Sequence, residues 1–423
     1  MGHLLPFLRL AAMLASRNCT ITLITVHPTV SAAEAHHLST FLTTHPNIKH
    51  LQFQLIPYKK SKFTNEDPFF IQLESINNSI HLLGPLLSSL SPPLSAIIAD
   101  FPVTTSVADL ASKLLIPTYV VITTSARFFN LMTHLPHLKQ DNNTNSYIEI
   151  PSLGPMAVSN IPPPMLNQNH FFAANICSNI SSLSKVKAIL INTFGWFEPE
   201  AIEALTSRNG LSQKILPIGP FESFETAPEA HNLRWLDEQA HESVLFVSFG
   251  SRTALTVDQI RELANGLEKS GCKFLWVLKL SKVDRDDSEG VEEVTKDDKD
   301  QELSGDQEKI LAHPAVGGFV NQCEWDSVME AALHGVPILA WPQHGDQKMN
   351  AKIAEKVGLG IWMKEWGGKK LVDGKEIGRQ VARIMGDLNI KKNAKIVRDK
   401  AREACEISGS SEKGFMKVIK MFT

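Results

Sequence analysis

The 423-residue chain lacks any run of about 18 consecutive apolar residues, so a membrane-spanning helix of ordinary length is not expected. It also lacks a basic block. Its 42 Lys and Arg are spread along the chain against 45 Asp and Glu, so neither nucleic acid nor a membrane surface is indicated as a partner. Cysteine is scarce. Cys19, Cys177, Cys272, Cys323 and Cys405 are odd in number and irregularly spaced, which suits neither a disulfide framework nor a zinc site and predicts free thiols in a reducing compartment. His36 with His37, and His134 with His137, have no Cys or carboxylate cluster at ligand spacing, so no metal is expected. No repeat of solenoid or propeller period is present. Gly358 and Gly360 follow a helical stretch instead of opening one after a strand, which argues against a dinucleotide fingerprint. The start MGHLLPFLRLAAMLASRN has neither a basic leader nor a stop-transfer pattern and reads as the amphipathic helix of a cytoplasmic protein. The sequons at Asn18, Asn77, Asn142 and Asn179 therefore carry no expectation of glycosylation.

What is present is enough hydrophobic sequence, 43%, for two domains of ordinary size. Apolar strand-like runs alternate with helical stretches at 19–26, 48–56, 94–101, 118–125 and 188–194, and again at 243–250, 273–279 and 336–342. That order predicts an α/β fold with parallel sheets in two Rossmann-like lobes. Thr256 with Gln259 forms a capping box, Ile260, Leu263 and Leu267 share one face, and Gly271 is placed to end the helix. The stretch 216–232 is rich in Pro, Gly and acidic residues without periodicity and reads as the linker between lobes 1–215 and 233–405, with a last helix over 406–423. Between Val283 and Glu308 there are 12 acidic and 3 basic residues, a net of −9, which suits a solvated loop.

The most informative stretch is 311–352, LAHPAVGGFVNQCEWDSVMEAALHGVPILAWPQHGDQKMNAK. In a parallel α/β lobe, ligands sit beyond the carboxyl ends of strands, and a diphosphate is well placed at a helix N-terminus where backbone N–H groups are free. CEWDSVMEAALHG supplies such a helix, with Asp326 and Ser327 as candidate N-caps and Gly335 to close it. The segment WPQHGDQ then presents amide and carboxylate groups to sugar hydroxyls.

These residues closely resemble the sugar-donor box of the plant family-1 UDP-dependent glycosyltransferases, whose fold is GT-B, two lobes facing across a cleft. The resemblance runs from Gly2 onward and is densest over 243–279 and 307–352. It implies a UDP-sugar as co-substrate, no cofactor, and UDP-sugar contacts from Ser251, Gln307, Gln322, Trp325, Asp326, Ser327, Glu330, Asp346 and Gln347. Within that set Gln307 would meet the uracil, Ser251 and Ser327 the phosphates, Glu330 the ribose hydroxyls, and Asp346 and Gln347 the sugar. Four positions depart from the family pattern: Ser304 stands for a uracil-stacking Trp, Gln322 for a phosphate-binding His, Glu324 for a Gly and Asp326 for an Asn. A like-charge pair at about 4 Å costs roughly 4 kcal/mol at an effective dielectric of about 20, and a lost base stack about 1 to 3 kcal/mol more. Weak donor binding is thus predicted.

In the N-terminal half, MGHLLPFLRLA resembles the family's GHxxPxxxLA motif, which implies His3 as the catalytic base and Asp100, ending IIAD, as its acidic partner. A histidine suits this role because its pKa lies near neutrality. The family carries a strand before that histidine and another before Gln307, and both look missing. The run 248–279 resembles the branch that attaches glucose through carbon to flavonoid-like phenolics. Phe69, Phe70, Phe128, Phe129, Phe171 and Phe172 are candidates for flat contacts to such an acceptor, with core packing the competing reading. The expected function is transfer of a sugar, with glucose favoured, from UDP-sugar to a plant phenolic with inversion, by a cytoplasmic monomer. The alternative is a catalytically impaired relative that only binds a phenolic or a protein.

Overall fold

The computed structural model describes residues 2–27, 32–59, 63, 67–137, 147–150, 153–207, 211, 214–224, 233–250, 253, 255–278, 307–367 and 370–422. Ser251 and Ser304, the acidic stretch up to residue 306 and the linker residues 225–232 lie outside them. Contacts divide the chain into two compact units. One comprises Leu10–Thr29, Asn47–Glu222 and Ala404–Thr423; the other comprises Met1–Arg9, Val30–Pro46 and Ser223–Glu403.

The 47–222 unit holds β1 (Thr22–His27) paired in parallel with β2 (Lys49–Gln54), and the parallel strands β3 (Ile97–Asp100) and β4 (Thr118–Ile122). A small antiparallel hairpin, β5 (Tyr147–Ile150) and β6 (Gly154–Ala157), precedes β7 (Ala188–Ile191) and β8 (Ile215–Pro217). The larger sheet runs β3-β4-β7-β8. Val120, Val121, Ile122 and all of β7 are fully buried, as strands covered on both faces by helices must be. The helix Ser410–Lys420 packs on β8, and Phe422 meets the ring of Tyr119 edge-on at 5.0 Å. Glu198 sits buried at the start of the helix Ala126–His134, accepting from the N–H groups of Ala126 and Arg127 at 2.9 Å each. Burial pushes its carboxyl up to about 7, against those hydrogen bonds.

The 223–403 unit holds β9 (Val244–Ser248), β10 (Lys273–Val277), β11 (Val316–Asn321), β12 (Ile338–Ala340) and β13 (Gly360–Trp362), all parallel, in the order β10-β9-β11-β12-β13. One face buries Leu245, Val247, Val320, Leu339 and Trp341 against Leu263 and Leu267 of the helix Val257–Ser270 and Ile377, Val381 and Ile384 of the helix Gly374–Gly386. On the other face Phe246 stacks on Phe319 at 4.9 Å.

Each of the eight stretches read as strands from the sequence contains one. β5, β6, β8, β11 and β13 are legible only in the structure, and β8 takes in the first residues of the stretch read as linker. In β11 the glycines admit close neighbours: a Cβ on Gly317 would run into the carbonyl of Glu242, and one on Gly318 would lie 2.8 Å from the Met385 sulfur. The contact division also differs from the sequence boundaries. Met1–Arg9 joins the 223–403 unit because Arg9 is ion-paired there, and Val30–Pro46 because Phe41 packs on Phe224 at 4.9 Å.

The helix Val257–Ser270 begins at Thr256, whose side chain accepts from Gln259 N–H, and ends at Gly271 with φ 66°. The capping box is only half made. The Gln259 side chain turns away to bracket Val372, donating to its carbonyl at 3.1 Å and accepting from its N–H at 2.8 Å. Replacing Thr256 by Ala is expected to cost about 1 kcal/mol of stability. Urea denaturation followed by circular dichroism measures this, and an unchanged midpoint would mean the cap contributes nothing.

Candidate functional site

In the 223–403 unit, β11 ends at Asn321, and Gln322, Cys323 and Glu324 lead into the helix Trp325–His334. Cys323 adopts φ 65°, with its N–H donating to Asn321 Oδ1 at 2.7 Å and its carbonyl accepting from Asn350 at 3.0 Å. That sharp turn starts the helix early. The N-cap is Glu324, with no side-chain capping bond, and Asp326 and Ser327 lie in the first turn; this corrects their expected role as caps. The first turn thus presents backbone N–H groups that no cap side chain occupies. Trp325 is buried, and Gly335 closes the helix with φ 69° as expected.

Three of the sequence-derived contacts come together on this helix and the one before it. Gln307, opening the helix Gln307–Ala312, donates through Nε2 to Ser327 Oγ at 3.0 Å and to Glu330 Oε2 at 2.6 Å. The other oxygen of Glu330 accepts from Arg9 at 2.6 Å, and Arg9 also donates to Glu308 at 2.6 Å. Arg9 was not among the expected site residues. The signal was in the sequence: it is the one charged residue in LLPFLRLAAMLAS, and it is 3% exposed. Burial alone would lower the pKa of the guanidinium, but the carboxylates of Glu330, Glu308 and Asp326 outweigh it, so Arg9 is firmly cationic. Burial likewise works to raise Glu308, yet His334 and Arg9 hold its carboxyl below the ordinary range.

Gln322 is buried, and its Oε1 accepts from Thr253, whose hydroxyl also meets His344 Nε2 at 3.1 Å. Its Nε2 has no partner among the described residues. A buried donor left unmade costs about 1 to 3 kcal/mol, so this amide has a hydrogen bond still to offer. Gly250, φ 68°, makes the space: a Cβ there would run into the same amide. Along the next loop, Gln347 is 1% exposed and accepts from the N–H groups of Gln343 and His344 at 2.8 and 2.9 Å. It therefore shapes the loop, while Asp346 accepts from Asn350 at 3.1 Å.

Asp326 carries the strongest carboxyl perturbation in the first turn of the helix Trp325–His334. Burial pushes its carboxyl up to about 8; Glu330 and Glu324 add to that, while Arg9 and His3 oppose it. The group is largely neutral at pH 7, with a cation nearby. A neutral Asp326 carries less charge than the full carboxylate expected from the sequence. His3 lies at the exposed start of the helix Leu4–Ser16 and is grouped with the 223–403 unit. Asp100 closes β3 in the 47–222 unit and makes no capping hydrogen bond. Of the six phenylalanines, Phe128, Phe129 and Phe171 are core residues. Phe69, Phe70 and Phe172 are half-buried and cluster with His170: Phe70 lies 5.2 Å from Phe69, 5.2 Å from Phe172 and 4.7 Å from the His170 ring.

The family model described as UDP-glucoronosyl and UDP-glucosyl transferase matches residues 215–394. The chain is 45% identical to UDP-glycosyltransferase 708C1 of Fagopyrum esculentum, over 99% of this chain and 93% of that one. The chain belongs to the UDP-glycosyltransferase family. It is 37% identical to the rice UDP-glycosyltransferase CGT of Oryza sativa subsp. japonica, over 98% of this chain and 92% of the relative. The crystal structure of LpCGTa in complex with UDP matches it with a TM-score of 0.86 at 39% identity, covering 100% of this chain and 97% of that one. The fold is GT-B, and the enzyme class is a glycosyltransferase that uses a UDP-sugar as co-substrate. Among the described residues no helix is long and apolar enough to cross a membrane.

The raised carboxyl of Asp326 sets a pH dependence on this transferase. An acid at about 8 in the folded state, against 3.8 unfolded, releases its proton first in the unfolded chain, so stability is lost as pH rises from about 4 to about 8. Asp326→Asn is expected to melt higher than the unmodified protein, with a gap that widens between pH 5 and pH 9. Parallel melting curves across that range would remove Asp326 as the source.

Proposed function

We propose that this transferase moves glucose from UDP-glucose to a phenolic acceptor of the flavonoid class, with inversion and with attachment through carbon. The observation that carries the donor half is the joining of Gln307, Ser327 and Glu330 by hydrogen bonds at the uncapped first turn after β11, beside the unpartnered donor of Gln322. In this reading Gln307 meets the uracil, Glu330 the ribose hydroxyls, and Gln322 and Ser327 the phosphates, with the first turn of the helix Trp325–His334, uncapped by Glu324, behind them. Ser251 is retained from the sequence as a further phosphate contact. Asp346 faces the sugar, and Gln347 holds the loop that carries it. Residues 233–405 are thereby the donor lobe and 1–215 chiefly the acceptor lobe.

The chemistry asked of the chain is modest. The acceptor atom attacks the anomeric carbon from the face opposite UDP, the bond from that carbon to the diphosphate oxygen breaks, and His3 takes the acceptor's proton. The charge growing on departing UDP is met by the amide of Gln322 and the backbone donors, which need no reorganisation to receive it. Asp100 is the acidic residue assigned to balance the charge His3 acquires. On the acceptor side, Phe69, Phe70 and Phe172 offer half-buried aromatic surface to a flat phenolic. Two relatives support the carbon-attachment reading by their names, the rice UDP-glycosyltransferase CGT and LpCGTa. We also assign the enzyme to the cytoplasm as a monomer.

Incubation with UDP-glucose and phloretin should yield a glucoside that resists acid hydrolysis, as a carbon–carbon bond does. An acid-labile product would assign attachment to oxygen, and bound phloretin without turnover would favour the impaired relative. His3→Ala should lower kcat by about 10² to 10⁴-fold, the usual worth of a general base. Full activity of that variant would refute the assignment of His3.

A further inference from the structure

We propose that Arg9 is a positioning residue for the donor nucleotide: it fixes the Glu330 carboxylate, together with Gln307, in the arrangement that receives the ribose hydroxyls. This deepens the donor-site reading above and rests on it. Glu330 is 1% exposed, and its two oxygens are divided between two partners: Arg9 on Oε1 and Gln307 on Oε2, each at 2.6 Å. The same Nη2 of Arg9 reaches Glu308 at 2.6 Å, the residue next to Gln307. One cation therefore ties the helix that carries the ribose contact to the helix that carries the uracil contact. The group is 3% exposed, and its Nε has no partner among the described residues, so the cluster holds a donor not used up by internal pairing. A purely structural ion pair would have no reason to converge on the two side chains that face the nucleoside.

The guanidinium is suited to this because its Nη2 donates to both carboxylates from a delocalised charge that burial does not remove, which a strongly hydrated lysine ammonium on a flexible stem reproduces only in part. Without it, Glu330 and Glu308 would face each other with no cation between them, and the Glu330 carboxylate would rotate or protonate. Either change removes a well-directed acceptor from the ribose 2′-hydroxyl while leaving phosphate contacts in place. Loss of Arg9 should thus register most strongly as lost discrimination between ribose and deoxyribose.

Calorimetric titration of the full chain with UDP and with 2′-deoxy-UDP tests this. The unmodified protein should prefer UDP by about tenfold or more, the range expected for a hydrogen bond to a charged group. Arg9→Met should bring the two affinities to within about twofold of each other, with the KM for UDP-glucose rising more than kcat falls. Arg9→Lys, which keeps the charge, should retain an intermediate preference, and decides the matter if the Met variant does not fold. Undiminished preference for UDP in the variants overturns the role of Arg9. Binding of UDP by the unmodified protein without preference over the deoxy form also overturns it. If the unmodified protein binds neither nucleotide, the donor-site reading itself fails, and the inference with it.

Discussion

A buried guanidinium between carboxylates is the constraint around which the donor unit is organised. Taking Arg9, Glu330 and Glu308 out of water costs several kcal/mol per ion, and the arrangement persists because each charge meets its opposite at 2.6 Å. Removing one partner from such a set typically costs about 3 to 5 kcal/mol, since the others are left charged and dry. The first residues of the chain are thus bound into a unit whose sheet begins more than 200 residues later. Arg9 also bears on Asp326, where it opposes the burial that raises the carboxyl.

Much of the fold was legible in the sequence because parallel strands buried on both faces read as apolar runs. SVLFVSFG and VPILAWP each became a strand of the five-stranded sheet. Glycine-rich VGGFVN hid another, because the glycines serve close approach of neighbouring groups and weaken the pattern that marks a strand. The helix ends at Gly271 and Gly335 were legible from the residue that tolerates a left-handed backbone. The start of the helix at Trp325 was not, since Cys323 takes that conformation without being glycine.

The site divides the same way. Gln307, Ser327 and Glu330 were implied together by the family resemblance, and the structure brings them together. Arg9 and Thr253 could not, because their partners lie 321 and 69 residues away in sequence and only the fold supplies the contact. Gln347 shows a different limit: the sequence offered an amide for a sugar, while the structure occupies its carbonyl oxygen with two backbone N–H groups of its own loop. Asp326 shows the same limit as Arg9, since the burial that raises its carboxyl is invisible along the chain. Charges were counted along the chain, whereas a carboxyl's state is fixed by what surrounds it.

The close fit of Gly250 against the Gln322 amide couples the two positions. With the amide in place, any side chain at 250 meets it directly, so the two positions cannot vary independently. A substitution at 322 is tested against the space that glycine leaves, and a substitution at 250 is closed off as long as 322 carries a group of that size. Glu324 lies 3.5 Å from the same point, which draws a third position into the constraint. The three residues therefore form one packed unit, and a replacement at any of them is felt by the other two.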